Sequence, residues 1–151
     1  MTYDAQLMKK IGIDIFSGAG GLSLGGAMAG IKVRYAIEVN PHAAKSFELN
    51  HKGAKVICGD IRDVKATDFL NKDEEVFIIM GGPPCQGFSM SNTMSRNMDN
   101  PNNLLFKEFV RLVSEIKPRW FVLENVWGMT KMNNGETIEM IKHCFEEIEP
   151  G

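Results

Sequence analysis

IGIDIFSGAGGLSLGGAMAG, residues 11–30, joins an apolar run to a glycine-rich turn and a second apolar stretch. A short apolar run at 11–16 reads as a strand, SGAGG as a glycine turn, and 22–29 as a helix that ends at Gly30. Downstream the same rhythm repeats. Residues 33–37 form a second strand. It stops before Asn40 and Pro41, which supply an N-cap and a first-turn proline for a helix to about Asn50. Further strands are expected at 55–58, 76–80 and 120–123, the last after the helix-barring Pro118. A helix at 104–116 carries Leu105, Phe109, Leu112, Val113 and Ile116 at helical spacing, and a final helix covers 136–148.

Strands that alternate with helices, and are apolar throughout, specify a mostly parallel sheet of about five strands with helices on both faces. In such α/β sheets ligands bind beyond the carboxyl ends of the strands, where the strand order reverses. The informative residues stand at those ends: SGAGG, Glu38, Asp60, PPCQ at 83–86, and Glu124. Residues 89–103, rich in Ser, Asn and Met, are the one candidate for a mobile loop.

With 151 residues the chain is the size of one domain and can bury a core of its own. It has no apolar run near the length of a membrane span and no signal-peptide pattern, so a cytoplasmic location is expected. Cys58, Cys85 and Cys144 are odd in number and widely spaced, which points to reduced thiols rather than a disulfide framework or a zinc site. The net charge of −2 lacks the basic signature of a protein that grips nucleic acid unaided.

Gly18, Gly20 and Gly21 let backbone approach a ligand closely at a helix N-terminus, or simply join a strand to a helix. The dinucleotide fingerprint wants a third glycine where Ser23 stands, but its acidic residue is present as Glu38, whose carboxylate suits ribose hydroxyls. Asp60 offers an acceptor for an exocyclic amine or an N-cap for a helix. Phe16 can stack on a purine or pack in the core. Cys85 follows Pro83 and Pro84 in a glycine-flanked loop, where a thiol is held rigidly and is poorly placed for packing; that suits a nucleophile. Glu124, at the end of the WFVL strand, is either a poorly solvated proton donor or an ordinary strand-end acid.

DIFSGAGGLSLG, IEVN, GDI, GPPCQGFS and LENV, in this order, resemble the catalytic half of the DNA cytosine-5 methyltransferases over 11–148. The resemblance implies a Rossmann-like, S-adenosylmethionine-dependent methyltransferase fold, here truncated. It implies a cofactor pocket around Asp14, Phe16, Ser17, Gly18, Gly20, Gly21, Glu38, Asp60, Ile61, Pro83 and Leu105. Cys85 would be the attacking thiolate, within a catalytic set that also includes Pro84, Gln86, Glu124 and Asn125, and no metal is implied. Glu124 would protonate ring nitrogen 3, Asn125 would help to orient the site, and a loop at roughly 86–100 would close over a flipped cytosine.

Two departures from the family pattern stand out. Asn102 occupies a place where the family usually has an arginine. The sequence ends at EEIEPG, so residues 1–151 are expected to be a partial catalytic domain, without the target recognition domain and C-terminal part. A second chain or a missing C-terminal segment is the expected partner, and duplex DNA should bind this part only weakly. A bacterial restriction-modification setting is expected. Alternatives are RNA methylation on the same scaffold and a noncatalytic cofactor-binding or docking module. A nicotinamide oxidoreductase is disfavoured by Ser23 and leaves PPCQ unexplained.

Overall fold

The computed structural model describes residues 10–84, 101–124 and 136–148. Five strands, β1 (Ile11–Ile15), β2 (Lys32–Glu38), β3 (Lys55–Cys58), β4 (Ile78–Gly81) and β5 (Trp120–Leu123), form one sheet of order β3-β2-β1-β4-β5. Every pairing is parallel. The helices are α1 (Gly21–Met28), α2 (Pro41–Asn50), α3 (Pro101–Ile116) and α4 (Glu136–Glu146). The chain winds outward from β1 in one direction through β2 and β3, and in the other through β4 and β5. The β1/β4 seam is therefore the point where strand order reverses.

Paired residues of parallel strands point to the same face of a sheet. On one face Ile13, Ile15, Ile37 and Ile79 pack against Phe109, Leu112 and Val113 of α3. Each such fully buried side chain contributes about 1.5–3 kcal/mol. Phe145 of α4 extends that layer by stacking on Phe121 at 4.2 Å between ring centroids. The opposite face carries Asp14, paired with Met80 and through it with Val122. Here α1 lies over Asp14 and Met80, and the end of α2 flanks α1 across a shared pocket.

Local chemistry sets the element ends. Asn40 accepts hydrogen bonds from the His42 and Ala43 amides at 2.9 and 3.1 Å, and Pro41 opens α2. A cap of this kind is worth about 1 kcal/mol. Phe16 lies outside β1 because its φ of 59° breaks the strand. The fourth strand begins at Ile78 rather than Val76, since its ladder with β1 opens at the Gly12–Ile78 pair. The helix expected from 104 starts at Pro101, with proline in its tolerated first position. Two 3-10 turns, Ile61–Asp63 and Ala66–Asp68, carry the chain from β3 under α3. Arg111 of α3 fastens the first by donating to the Ile61 and Val64 carbonyls at 3.0 and 2.9 Å.

β5 departs from the expectation of strands buried on both faces. It is the sheet edge among the described residues, with Trp120 59% and Val122 44% exposed on the α1 side. The helix α1 lies against β1 and β2, and α2 against β2 and β3. Among the described residues, no helix is long and apolar enough to cross a membrane.

Candidate active site

Strand register brings the scattered signals into one row. Cys58 pairs with Glu38, Ile37 with Ile15, Ile15 with Gly81, and Gly81 with Leu123. The residues that follow those strand ends are Asp60, the SGAGG turn, GGPP and Glu124, with Glu38 itself closing β2. At about 4.8 Å between neighbouring strands, the row from the third strand to the fifth spans roughly 19 Å, the scale of an extended nucleoside ligand and a reacting base.

The glycine turn is held from the second strand. Glu38 accepts the Gly18 amide at 2.8 Å through Oε2 and the Asn40 amide at 2.7 Å through Oε1. Each carboxylate oxygen keeps a further lone pair for a hydroxyl donor. Gly18 has φ 54°, and a side chain on either Gly18 or Gly21 would meet open space, so the outer side of the turn is accessible to a ligand. Gly20, at φ 94°, forms the N-cap of α1.

Beneath the turn lies a buried carboxylate. Asp14 is 1% exposed and accepts the Ser23 hydroxyl at 2.5 Å on Oδ2, while Oδ1 has no partner among the described residues. Burial pushes its pKa up from 3.8 to about 6, against the opposing pull of Ser23. The Ser17 hydroxyl is likewise buried and without a partner among the described residues. Two unsatisfied buried polar atoms beside an accessible glycine turn fit a polar ligand that approaches the carboxyl end of β1. Ser23 stands where the dinucleotide fingerprint has its third glycine. Its hydroxyl answers the need of Asp14 for a donor, and it is fully buried at the α1–β1 contact. An aspartate inside the apolar run IGIDI was the signal for such a donor.

The other predicted pocket residues divide. Asp60 caps the first 3-10 turn, accepting the Arg62 amide at 3.0 Å and the Arg62 guanidinium at 2.9 and 2.5 Å. The side-chain hydrogen bond from Arg62 is the main cause that holds the Asp60 pKa at about 2. Ile61 is buried with its side chain in the core, and Phe16 and Leu105 are partly buried against that core. Pro83 is buried and Pro84 exposed. Cys85, Gln86, Asn125, the loop at 86–100 and the side chain of Asn102 lie outside the described residues.

On the other side of the seam, β4 and β5 bring Glu124 to the start of the PPCQ segment. The Glu124 amide donates to the Gly81 carbonyl at 2.9 Å. A Cβ on Gly82 would stand 2.5 Å from Glu124 Oε2, so the carboxylate lies over a glycine three residues before Cys85. Glu124 is exposed rather than poorly solvated, because it follows the edge strand. Gly81 is required by the seam itself, since a side chain there would overlap the Ile15 carbonyl.

Sequence reading missed Asn50 and His51 at the end of α2. The Asn50 amide donates to the Ala19 carbonyl at 3.4 Å, and His51 Nε2 lies 2.9 Å from the Gly20 carbonyl.

A doubly wound parallel sheet with this turn and this row of strand-end residues is the Rossmann-like architecture of S-adenosylmethionine-dependent methyltransferases. A structure described as a DNA modification methyltransferase encoded within an E. coli prophage superposes with a TM-score of 0.75 at 35% identity, over 90% of this chain and 37% of that one. The S. pombe Dnmt2 methyltransferase shares the fold, with a TM-score of 0.64 at 23% identity over 88% of this chain and 39% of that one.

The C-5 cytosine-specific DNA methylase family profile matches residues 11–149, and the chain belongs to that family. Type II methyltransferase M1.HphI of Haemophilus parahaemolyticus is 40% identical over 90% of this chain and 37% of its own length. Type II methyltransferase M.AquIA of Picosynechococcus is 38% identical over 89% of this chain and 55% of its own length. The chain thus spans between about a third and just over half of the relatives it matches.

Proposed function

We propose that this chain is the cofactor-binding and nucleophile-bearing part of a bacterial DNA cytosine-5 methyltransferase, with S-adenosylmethionine as methyl donor. The approach of Glu124 to Gly82 across the β4–β5 pair carries the reading. It sets a carboxylate beside the segment that bears Cys85, at the same carboxyl end of the sheet as the glycine turn.

The residues present suit the donor. Glu38 can accept ribose hydroxyls, and the α1 N-terminus can take the carboxylate of the methionine moiety. Asp60, already capping its turn, keeps one lone pair, on Oδ2, for an exocyclic amine. When bound, S-adenosylmethionine supplies an electrophilic methyl group.

The chain's own groups activate the base. Carbon 5 of cytosine is a weak nucleophile. The Cys85 thiolate adds to carbon 6 while Glu124, taken out of solvent by the base stacked against it, passes a proton to nitrogen 3, so the electron pair of the C5–C6 double bond becomes available at carbon 5. After carbon 5 takes the methyl group, whose bond to the donor sulfur breaks, it gives up its proton to solvent water. The returning electron pair re-forms the double bond and expels Cys85 as thiolate, and nitrogen 3 gives its proton back. A free cysteine is only a few per cent thiolate at pH 7, so the site must also favour ionisation. Stacked bases expose no face to such attack, which requires the cytosine to flip out.

Duplex DNA is the proposed substrate of the whole protein. With a net charge of −2, this part is expected to contribute few of the phosphate contacts. The apolar edge at Trp120 and Val122 is a surface that the remainder of a longer chain, or a second chain, would cover. Methyl transfer from labelled donor to duplex DNA and to transfer RNA, by the natural full-length protein and its Cys85→Ser variant, tests the reading. The expected result is incorporation into DNA that Cys85→Ser abolishes. Incorporation into RNA alone, or unchanged activity of the variant, would overturn it.

A further inference from the structure

We infer that His51, with Asn50 beside it, is a positioning residue that aims the glycine turn at its ligand from behind. The inference rests on the cofactor reading above. Two consecutive carbonyls of the turn, those of Ala19 and Gly20, are bound by side chains from the end of α2, thirty-one residues away in sequence. The Gly20 oxygen already accepts the Leu24 amide at 2.9 Å as the first bond of α1, and His51 takes its second lone pair. A carbonyl can only accept, so His51 Nε2 carries the proton.

The ring that donates is itself locked. It packs on Phe47 with centroids 4.4 Å apart, and Phe47 is fully buried. The His51 amide donates to the Phe47 carbonyl at 2.8 Å. A side chain at Gly20 would overlap the His51 ring and come within 2.9 Å of Phe47, so the bareness of Gly20 and the place of the ring are two sides of one fit.

Peptide geometry turns this contact into an aim. Across a trans peptide the carbonyl and the following amide point in opposite directions. Tying the Gly20 oxygen to His51 and Leu24 directs the Gly21 amide out of the α1 N-terminus, at a residue where a side chain would meet open space. The Gly20 amide is occupied by the Ser17 carbonyl at 2.9 Å, so the Gly21 amide is the one that this strap presents.

Isothermal titration of S-adenosylhomocysteine into the natural full-length protein tests the inference. His51→Phe keeps a ring on Phe47 but removes the donor, and should weaken binding about tenfold, as expected for one lost hydrogen bond in a pre-aimed site. His51→Gln restores a donor and should return to within about threefold of wild type. Asn50→Ala, at an exposed and longer bond, should cost about twofold. In the absence of ligand, amide hydrogen exchange at residues 20–22 should quicken in His51→Phe and not in His51→Gln. Equal affinities for wild type and His51→Phe, or equal losses in the Phe and Gln variants, would overturn the positioning role. Should His51→Phe not fold, an Asn50→Ala protein with unchanged affinity and unchanged exchange would overturn it. Failure of the wild type itself to bind S-adenosylhomocysteine would count against the cofactor reading, while the exchange data would still decide whether the strap orders the turn.

Discussion

Asp14→Asn should make the protein more stable at neutral pH and take away a defined part of its pH dependence. The carboxyl is buried under α1 with one oxygen unpartnered, and its pKa stands at about 6 against 3.8 in a solvated chain. Between those values the folded state holds the proton more tightly than the unfolded state. Stability therefore falls as pH rises through the window from about 4 to about 6, and the full cost is present above it. At roughly 1.4 kcal/mol per pH unit the separation amounts to about 3 kcal/mol, of which about 2 kcal/mol develops between pH 4.5 and pH 8. Asparagine keeps an oxygen for the Ser23 hydroxyl and has no charge to desolvate.

Urea unfolding of wild type and variant at pH 4.5 and pH 8 reads the effect as a difference of differences, in which all other titrating groups cancel. The variant should gain about 2 kcal/mol on wild type between the two pH values. A gap between the two proteins that is the same at both pH values would refute the burial argument. Placing an uncharged group here should also weaken S-adenosylhomocysteine binding if Asp14 Oδ1 serves the ligand, so stability and affinity would move in opposite directions.

Two glycines separate packing from chemistry. Gly82→Ala puts a methyl 2.5 Å from Glu124 Oε2, and the carboxylate must move. With the fold retained, kcat for DNA methylation should drop by about a hundredfold, as for a catalytic group displaced by about 1 Å, and S-adenosylhomocysteine affinity should hold. A variant with wild-type kcat would remove Glu124 from the reaction. Gly81→Ala meets backbone instead, the Ile15 carbonyl across the β1/β4 seam, which cannot yield without separating the strands. A loss of about 3 kcal/mol or more in urea unfolding is expected; a loss under about 1 kcal/mol would show that the seam is looser than described.

The elements that speak through their own residues were legible. The β1–turn–α1 unit was written in an apolar run followed by SGAGG, and the start of α2 in Asn40 and Pro41, because strand burial and capping are local chemistry. The row of strand-end residues followed from parallel pairing, whereas the order of the strands depends on contacts far apart in the chain. What escaped was whatever depended on distant partners. His51 reads as an ordinary helix-end residue until α2 is laid beside the glycine turn. Ser23 looks like a broken fingerprint until Asp14 is found beneath it. Asp60 could be a cap or a ligand acceptor from sequence; Arg62, two residues on, makes it a cap whatever else it binds. The exposure of Glu124 and of β5 was hidden because an apolar run does not say whether a strand has neighbours on both sides. Phe16 was read as strand or purine stack, and its left-handed backbone ends the strand before it.

In the proposed reaction Cys85 forms a bond to carbon 6 of a cytosine that then takes a methyl group at carbon 5. Incubating the full-length protein with S-adenosylmethionine and duplex DNA in which cytosine is replaced by 5-fluorocytosine probes it directly, since fluorine cannot leave as the carbon 5 proton does and the adduct is held. Mass spectrometry of the digested product should show a methylated 5-fluorocytosine nucleotide linked to the peptide that contains Cys85. Free protein only, or a linkage at Cys58 or Cys144, would rule out Cys85 as the nucleophile.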